Sequence, residues 1–250
     1  MVNDRIGEIR KSNNCGLMKI VEYNGVRDIT IKFKTGSVVK TRYDHFKRGT
    51  VKDPLFPSVF GIGYLGIGKF KAKINNKNTT EYQTWYNMLQ RCYDPYIINK
   101  KLTYQDATVS EIWKNFQNFA EWHKKNYYDL FDEDVHLDKD IIKKGNKVYC
   151  PEFCAFVPQS INALLTKSDK ARGKYPIGVS FNKHNKKYKS YMLINGKQKH
   201  LGYFSTSIEA FNSYKIAKEE QIQVVANKYK NILKAKVFDS LMNYKVFITD

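Results

Sequence analysis

Between Gly178 and Phe204 the chain runs through three stretches of alternating character separated by turn residues. Few architectures accept such a pattern. A period of two places Val179 and Phe181 on one face and Ser180 and Asn182 on the other. In the next stretch Tyr188, Ser190 and Met192 oppose Lys189, Tyr191 and Leu193, and Asn195-Gly196 closes a hairpin into KQKHLGYF. Ser207 then reads as the cap of a helix carrying Ile208, Phe211, Tyr214, Ile216 and Ala217. The pattern predicts a three-stranded antiparallel sheet with one helix packed against it. The uncovered side would present Ser180, Asn182, His184, Lys187, Lys189, Tyr191, Gln198 and His200.

Charge says what that side should meet. The 250 residues hold 43 Lys plus Arg against 24 Asp plus Glu, a formal net charge of +19. From Thr166 onward the balance is 17 against 6. Such an excess opposes compaction unless a polyanion relieves it, and nucleic acid is the first candidate. A β-ribbon fits a major groove, where lysines would fix the register on phosphates and Asn182 and Gln198 would reach adenine edges. The bland alternative is an ordinary solvated sheet face. The basic residues are dispersed, without the polybasic run beside an apolar helix that marks a membrane anchor. No stretch approaches the ~20 apolar residues of a membrane span. The start, MVNDRIGEIRK, lacks a signal-peptide core. These features predict a cytoplasmic chain with no membrane partner. Cys150 and Cys154 form a lone pair at C-x3-C spacing, with Cys15 and Cys92 far off, so a structural zinc completed by His123 or His136 is not expected.

The remainder divides into two parts. Residues 1–70 read as short strands followed by a linker. LMKIVEY meets a turn at Asn24-Gly25, DITIKFKTG alternates with Ile29, Ile31 and Phe33 on one face, and SVVKTRYDHF follows. A small β-barrel or meander is expected, with Arg10, Lys11, Lys32, Lys34, Lys40, Arg42, Lys47 and Arg48 on its surface. That surface would serve as an accessory nucleic-acid contact or simply be solvated, and residues 1–60 could also receive a protein partner. The glycine-rich stretch 54–70 is expected to pack through Phe60, Tyr64 and Leu65. Residues 71–168 are predicted to be mainly helical. Tyr82, Trp85, Met88, Leu89 and Cys92 recur at helical spacing, and a second helix from Ser110 carries Trp113, Phe116, Phe119 and Trp122 as core. Residues 169–250 complete an α+β chain.

One segment concentrates chemistry. HLDKDIIKKGNKVYCPEFCAFVPQSIN, residues 136–162, places His136, Asp138 and Asp140 within five residues, with Lys139 between the acids. On a strand the first three share a side. Two carboxylates could hold a divalent metal, Mg2+ by preference, against a phosphodiester, while the imidazole takes a proton from water. A carboxylate–carboxylate–lysine arrangement of Asp138, Asp140 and Lys139 is a second option. An acidic turn paired with lysines is the structural one.

Two family resemblances rest on these residues. Gly178-Val179, Tyr188, Leu201-Gly202-x-Phe204-x-Thr206, and Glu209-Ala210 followed by Tyr214 resemble the plant ethylene-response-factor (Apetala-two type) DNA-binding domain over about 50 residues. That resemblance implies a sheet that reads the major groove of double-stranded DNA. The readers of that family are mainly arginines and tryptophans, and none falls at the matching positions here. Residues 80–165, with YNMLQRCYD, the EIWKNFQNFAEW stretch and the 136–162 segment, resemble phage HNH-type homing endonucleases. That motif reads Asp-His, a glycine–asparagine turn, then Pro-Glu-Asn-Leu. Here Lys139 follows Asp138, Gly145-Asn146 and Pro151-Glu152 are present, and Phe153 takes the asparagine's place. The resemblance implies a metal-dependent DNA endonuclease of the phage type, acting in a bacterial host cytoplasm, with His136 in the base's role and Asp138 and Asp140 holding metal. The alternative is a catalytically inactive DNA-binding regulator or inhibitor descended from such a nuclease. RNA binding through the N-terminal strands is a third reading.

Overall fold

The structure, a computed structural model, describes residues 5–100, 104–165, 174–194 and 196–250. It is α+β, as the sequence predicts, and it divides into two compact units. The first comprises residues 1–127 and 147–152, and the second comprises residues 128–146 and 153–250. The sequence places boundaries near 70 and 168. The second of those positions lies outside the described residues.

The first unit opens with β1 (Ile9–Ser12), β2 (Gly16–Tyr23), β3 (Ile29–Phe33) and β4 (Val38–Thr41), paired antiparallel in sequence order. This is the meander, and it stays open: β1 and β4 are edges, so no barrel closes. Met18, Ile20, Ile29, Ile31 and Phe33 bury one face against Phe46. Phe46 belongs to α1 (Tyr43–Arg48), a helix where the alternation of SVVKTRYDHF suggested more strand. Gly49 ends α1 in the left-handed region at φ 67°. A Cβ there would lie 2.6 Å from Asn13 Oδ1 and 3.0 Å from Lys11 O, so a larger residue would have to displace Asn13 as well as adopt that backbone.

The glycine-rich stretch is part of the packed unit. A Cβ at Gly63 would sit 2.4 Å from Leu89 Cδ1, and one at Gly66 would sit 2.1 Å from Asn115 Oδ1. Phe60 packs on Tyr86 with ring centres 5.1 Å apart, and Tyr64 bridges Asn115. After β5 (Lys73–Ile74) and β6 (Lys77–Asn78) comes α2 (Thr80–Tyr93), capped by the Thr79 hydroxyl, which accepts from Tyr82 N. Short elements follow: α3 (Pro95–Lys100), β7 (Thr108–Val109) and α4 (Glu111–Lys114). The single helix predicted from Ser110 is broken at Asn115. The Asn115 side chain accepts from Gln117 N and starts α5 (Phe116–Asn126) afresh. Trp85, Trp113, Phe116 and Phe119 are buried, as expected of core aromatics, and Trp85 Nε1 donates to Trp113 O at 2.7 Å.

In the second unit β8 (Val135–Asp138) runs antiparallel to the later strand Ala155–Pro158. Between them in sequence β9 (Val148–Tyr149) pairs with β7 in the first unit, so Ala155–Pro158 is β10, and it leads into α6 (Gln159–Leu165). The predicted sheet is present: β11 (Val179–Asn182), β12 (Lys187–Ile194) and β13 (Lys197–Phe204), with β12 central. Asn195 of its second hairpin is outside the described residues. The helix behind is α7 (Ser207–Lys228), and its cap is Thr206 rather than Ser207. The Thr206 hydroxyl accepts from Glu209 N while the Glu209 carboxylate accepts from Thr206 N, a reciprocal box. A last helix, α8 (Ala235–Met242), closes the unit.

The long helix α7 serves two cores. Its first half, through Ala210, Phe211 and Tyr214, covers Val179 and Met192 of the sheet. Its second half, through Ile222 and Ala226, packs with Ala155, Val157, Ile161, Val237 and Leu241. The sheet and the β8–β10 strands therefore pack against the same helix. Among the described residues no helix is long and apolar enough to cross a membrane.

Candidate nucleic-acid interface

Cross-strand register decides which side chains share the uncovered side of the C-terminal sheet. Ser180 is opposite Lys189, and Asn182 is opposite Lys187. Lys189 is opposite Tyr203, Tyr191 opposite His200, and Leu193 opposite Gln198. Seven of the eight residues predicted for the surface thus lie together on strands, and His184 sits in the turn that joins β11 to β12. Lys197 and Lys199 point to the helix side and are exposed there.

Strict alternation misses one member. The register shifts where Ser190 and Tyr191 face Gly202 and His200, leaving Leu201 as the extra residue of a bulge. Gly202 takes φ 139°, which other residues rarely adopt. The bulge resets parity, so Phe204 joins the core and Tyr203 joins the open face. Its ring lies 4.7 Å from that of His200, and Asn182 Nδ2 donates to its hydroxyl at 3.4 Å. A glycine inside a strand pattern was the available signal.

Several polar groups of this face are already engaged. Asn182 Oδ1 accepts from His184 N at 2.9 Å and from Asn185 N, a side-chain-capped turn. Gln198 Oε1 accepts from Lys189 Nζ at 3.1 Å. Asn182 Oδ1 already accepts two bonds and cannot meet adenine, as the sequence suggested, without giving one up, whereas Gln198 Oε1 accepts one and keeps a second lone pair. Lys187 and His200 are exposed, while Lys189 and Tyr191 are half-buried with the ammonium 5.6 Å from the ring centre. Lys187 and Lys189 are the lysines of this face, and the surrounding segment is one-signed. Residues 174–204 contain seven lysines and neither Asp nor Glu.

The 136–162 segment behaves differently. His136 and Asp138 share a side of β8, with Leu137 buried on the other. The strand ends at Asp138, so Asp140 does not continue the row. Asp138 Oδ1 accepts from Asp140 N at 2.7 Å and from Ile141 N at 2.8 Å, pinning the turn. Burial pushes its carboxyl above the usual range, with the neighbouring Asp140 adding to the rise and the two N–H donors and Lys139 opposing it. Lys139 is buried, and its ammonium donates to Asp140 Oδ2 at 2.7 Å and to Asn146 O at 2.8 Å. Asn146 Nδ2 returns a bond to Lys139 O at 2.9 Å. The Gly145-Asn146 turn is thus tied to the acidic turn by a lysine that holds structure. Asn162 of α6 places Nδ2 at 3.2 Å from His136 Nδ1. With the amide nitrogen donating, the neutral ring carries its proton on Nε2 and offers no lone pair to a water. The reverse amide orientation, with Oδ1 accepting from Nδ1–H, would free Nε2 as a base.

One observation favours a cation here: Asp140 Oδ1 is buried without a hydrogen-bond partner. A divalent ion needs several oxygen donors, and an ammonium already neutralises this carboxylate. Among the described residues no group of three or more His, Cys, Asp or Glu side chains stands ready to hold a metal. The donor set does not fit a divalent ion without rearrangement of the 138–146 turn. All four cysteines are buried.

No protein-family model matches this chain, and neither a curated protein nor a solved structure matches it.

Proposed function

We propose that the chain is a double-stranded-DNA-binding protein whose C-terminal sheet lies in the major groove. The observation that carries this reading is the acid-free, lysine-bearing face of β11–β13, left uncovered while α7 braces the opposite side. Lys187 and Lys189 would meet phosphates and set orientation, while His200, Tyr203 and Gln198 Nε2 face base edges. The resemblance to the Apetala-two type domain supports the same use of the sheet. DNA as the partner implies a cytoplasmic location, within a bacterial host where the chain is phage-encoded.

A second reading, a metal-dependent endonuclease of the HNH type, is favoured by one specific contact: Asn162 holding His136 beside Asp138 on a hairpin backed by α6. Asp138 and Asp140 would carry Mg2+ only if Asp138 released the turn N–H groups and Asp140 released Lys139. The geometry supports a DNA binder more directly than a nuclease, and so favours the inactive regulator or inhibitor descended from one.

Incubation with supercoiled plasmid and cognate-locus DNA, with and without Mg2+ or Mn2+, separates the two. The binder shifts DNA without nicking it. Nicking that His136→Ala removes while binding persists would establish the endonuclease. Failure to bind duplex DNA at low salt would overturn both.

A further inference from the structure

The meander of the first unit has a face that the proposed groove contact does not use. Register places Ile9, Lys19, Lys32 and Val38 side by side across all four strands. Lys19 and Lys32 are directly opposite one another, and both are exposed. Like charges so placed on adjacent strands destabilise a sheet. The neighbouring rows add Lys40, opposite Thr30, and Lys11, opposite Leu17. None of these four lysines has an ion pair among the described residues. Glu22 is the acid of these rows, and its carboxylate accepts the Thr30 hydroxyl at 2.7 Å. The opposite face of the same strands is the Met18, Ile20, Ile31 and Phe33 core, so the lysines cannot turn inward to find partners.

We propose that this face is a second nucleic-acid surface, taking the sugar–phosphate backbone of duplex DNA without reading bases. Two apposed ammonium groups repel in the free protein, and a phosphate between them converts that repulsion into attraction. Lysine is depleted in protein–protein interfaces, and these rows present four lysines beside the exposed aliphatics Ile9, Leu17 and Val38, with neither aromatic residues nor arginine. A polyanion therefore suits the face better than a folded protein partner. The proposal rests on the reading of the chain as a DNA binder, and it gives that binder a second, sequence-independent hold.

The test uses the full chain in four forms: wild type, Lys19→Gln with Lys32→Gln, Lys187→Gln with Lys189→Gln, and all four together. Fluorescence anisotropy follows binding to two duplexes of unrelated sequence as salt is raised. The N-terminal pair should flatten the slope of log K against log salt by about 2 on both duplexes, close to one unit for each phosphate left without its lysine. Its thermal unfolding should fall no lower than wild type, because a repulsion has been removed. Wild-type affinity and slope for this pair, with weakening by the C-terminal pair, would overturn the inference and leave the C-terminal contact standing. A solvated face or an acidic protein partner would give that result. Weakening by the N-terminal pair alone would sustain the inference and remove the C-terminal contact. Absence of duplex binding by wild type would overturn both.

Discussion

Gly178→Ala puts a number on how closely the sheet and its bracing helix are fitted. Gly178 sits at φ 75°, just before β11. A Cβ there would fall 2.1, 2.4 and 2.6 Å from three ring carbons of Tyr214. Carbon atoms normally approach to about 3.5–4.0 Å, so the ring would have to retreat by more than ~1 Å. Tyr214 is only 5% exposed and is held by Val179, Phe211 and Val246, so the retreat disturbs the whole core. Left-handed backbone costs roughly 1 kcal/mol for a residue with a Cβ. Overpacking adds about 1–3 kcal/mol. The expected loss is about 2–4 kcal/mol, which lowers a urea midpoint by roughly 1–2 M. All three tryptophans, Trp85, Trp113 and Trp122, lie in the first unit. Tryptophan fluorescence therefore reports on the first unit, while circular dichroism, which sees the long α7, should shift. Gly196→Ala is the control: its φ is 74° but nothing lies within 4 Å of the added Cβ, so it should cost only ~1 kcal/mol. Equal losses at the two glycines would refute the claim that Tyr214 fills the space above Gly178.

Other expectations are more local. Thr206→Ala removes one half of the capping box and should cost about 1 kcal/mol in the same urea experiment. Asp138→Asn keeps the oxygen that accepts from Asp140 N and Ile141 N and should be near neutral in stability, whereas Asp138→Ala should lose about 1–3 kcal/mol as two partly buried donors go unmet. The raised Asp138 pKa means that protonation favours the fold: its contribution is full below the ordinary carboxylate range and is lost as pH rises through the raised value. Asp138→Asn should therefore gain on wild type as pH rises from acid to neutral, which a series of unfolding curves would read. Glu219 has the opposite sign. Burial works against its ionised form, but hydrogen bonds from Lys215 and Val246 N and the charges of Lys215 and Lys245 outweigh burial and hold it below its usual range. Its contribution should be present above that range and fade as pH falls, and Glu219→Gln should flatten that limb. Lys19→Gln, which relieves the apposition with Lys32, should raise stability by about 0.2–1 kcal/mol.

Elements with a clean period are legible in the sequence itself. Alternation from Val179 to Leu193 assigns each side chain to its face, because burial on one side only leaves that imprint. Parity fails at Leu201-Gly202, where a bulge adds a residue and carries Tyr203 across. The break at Asn115 is hidden because Trp113, Phe116 and Phe119 keep a helical spacing on both sides of it. Gly63 and Gly66 read as a linker because close approach to Trp85, Leu89 and Asn115 is a property of distant partners. The acidic segment is visible as a cluster of residue types. Its bonds are not: Asp138 turns to its own backbone, and Lys139 reaches seven residues on to Asn146. That α7 runs on past the sheet to back the β8–β10 hairpin depends on packing between distant segments, which no local pattern records.

Amide hydrogen exchange on the full chain, with and without duplex DNA at low salt, tests the central claim most directly. Bound DNA should slow exchange across β12 and β13, from Lys187 to Tyr203, and leave the buried half of α7 unchanged. Protection confined to the 136–162 segment, or none on this sheet despite saturating DNA, would contradict the groove contact.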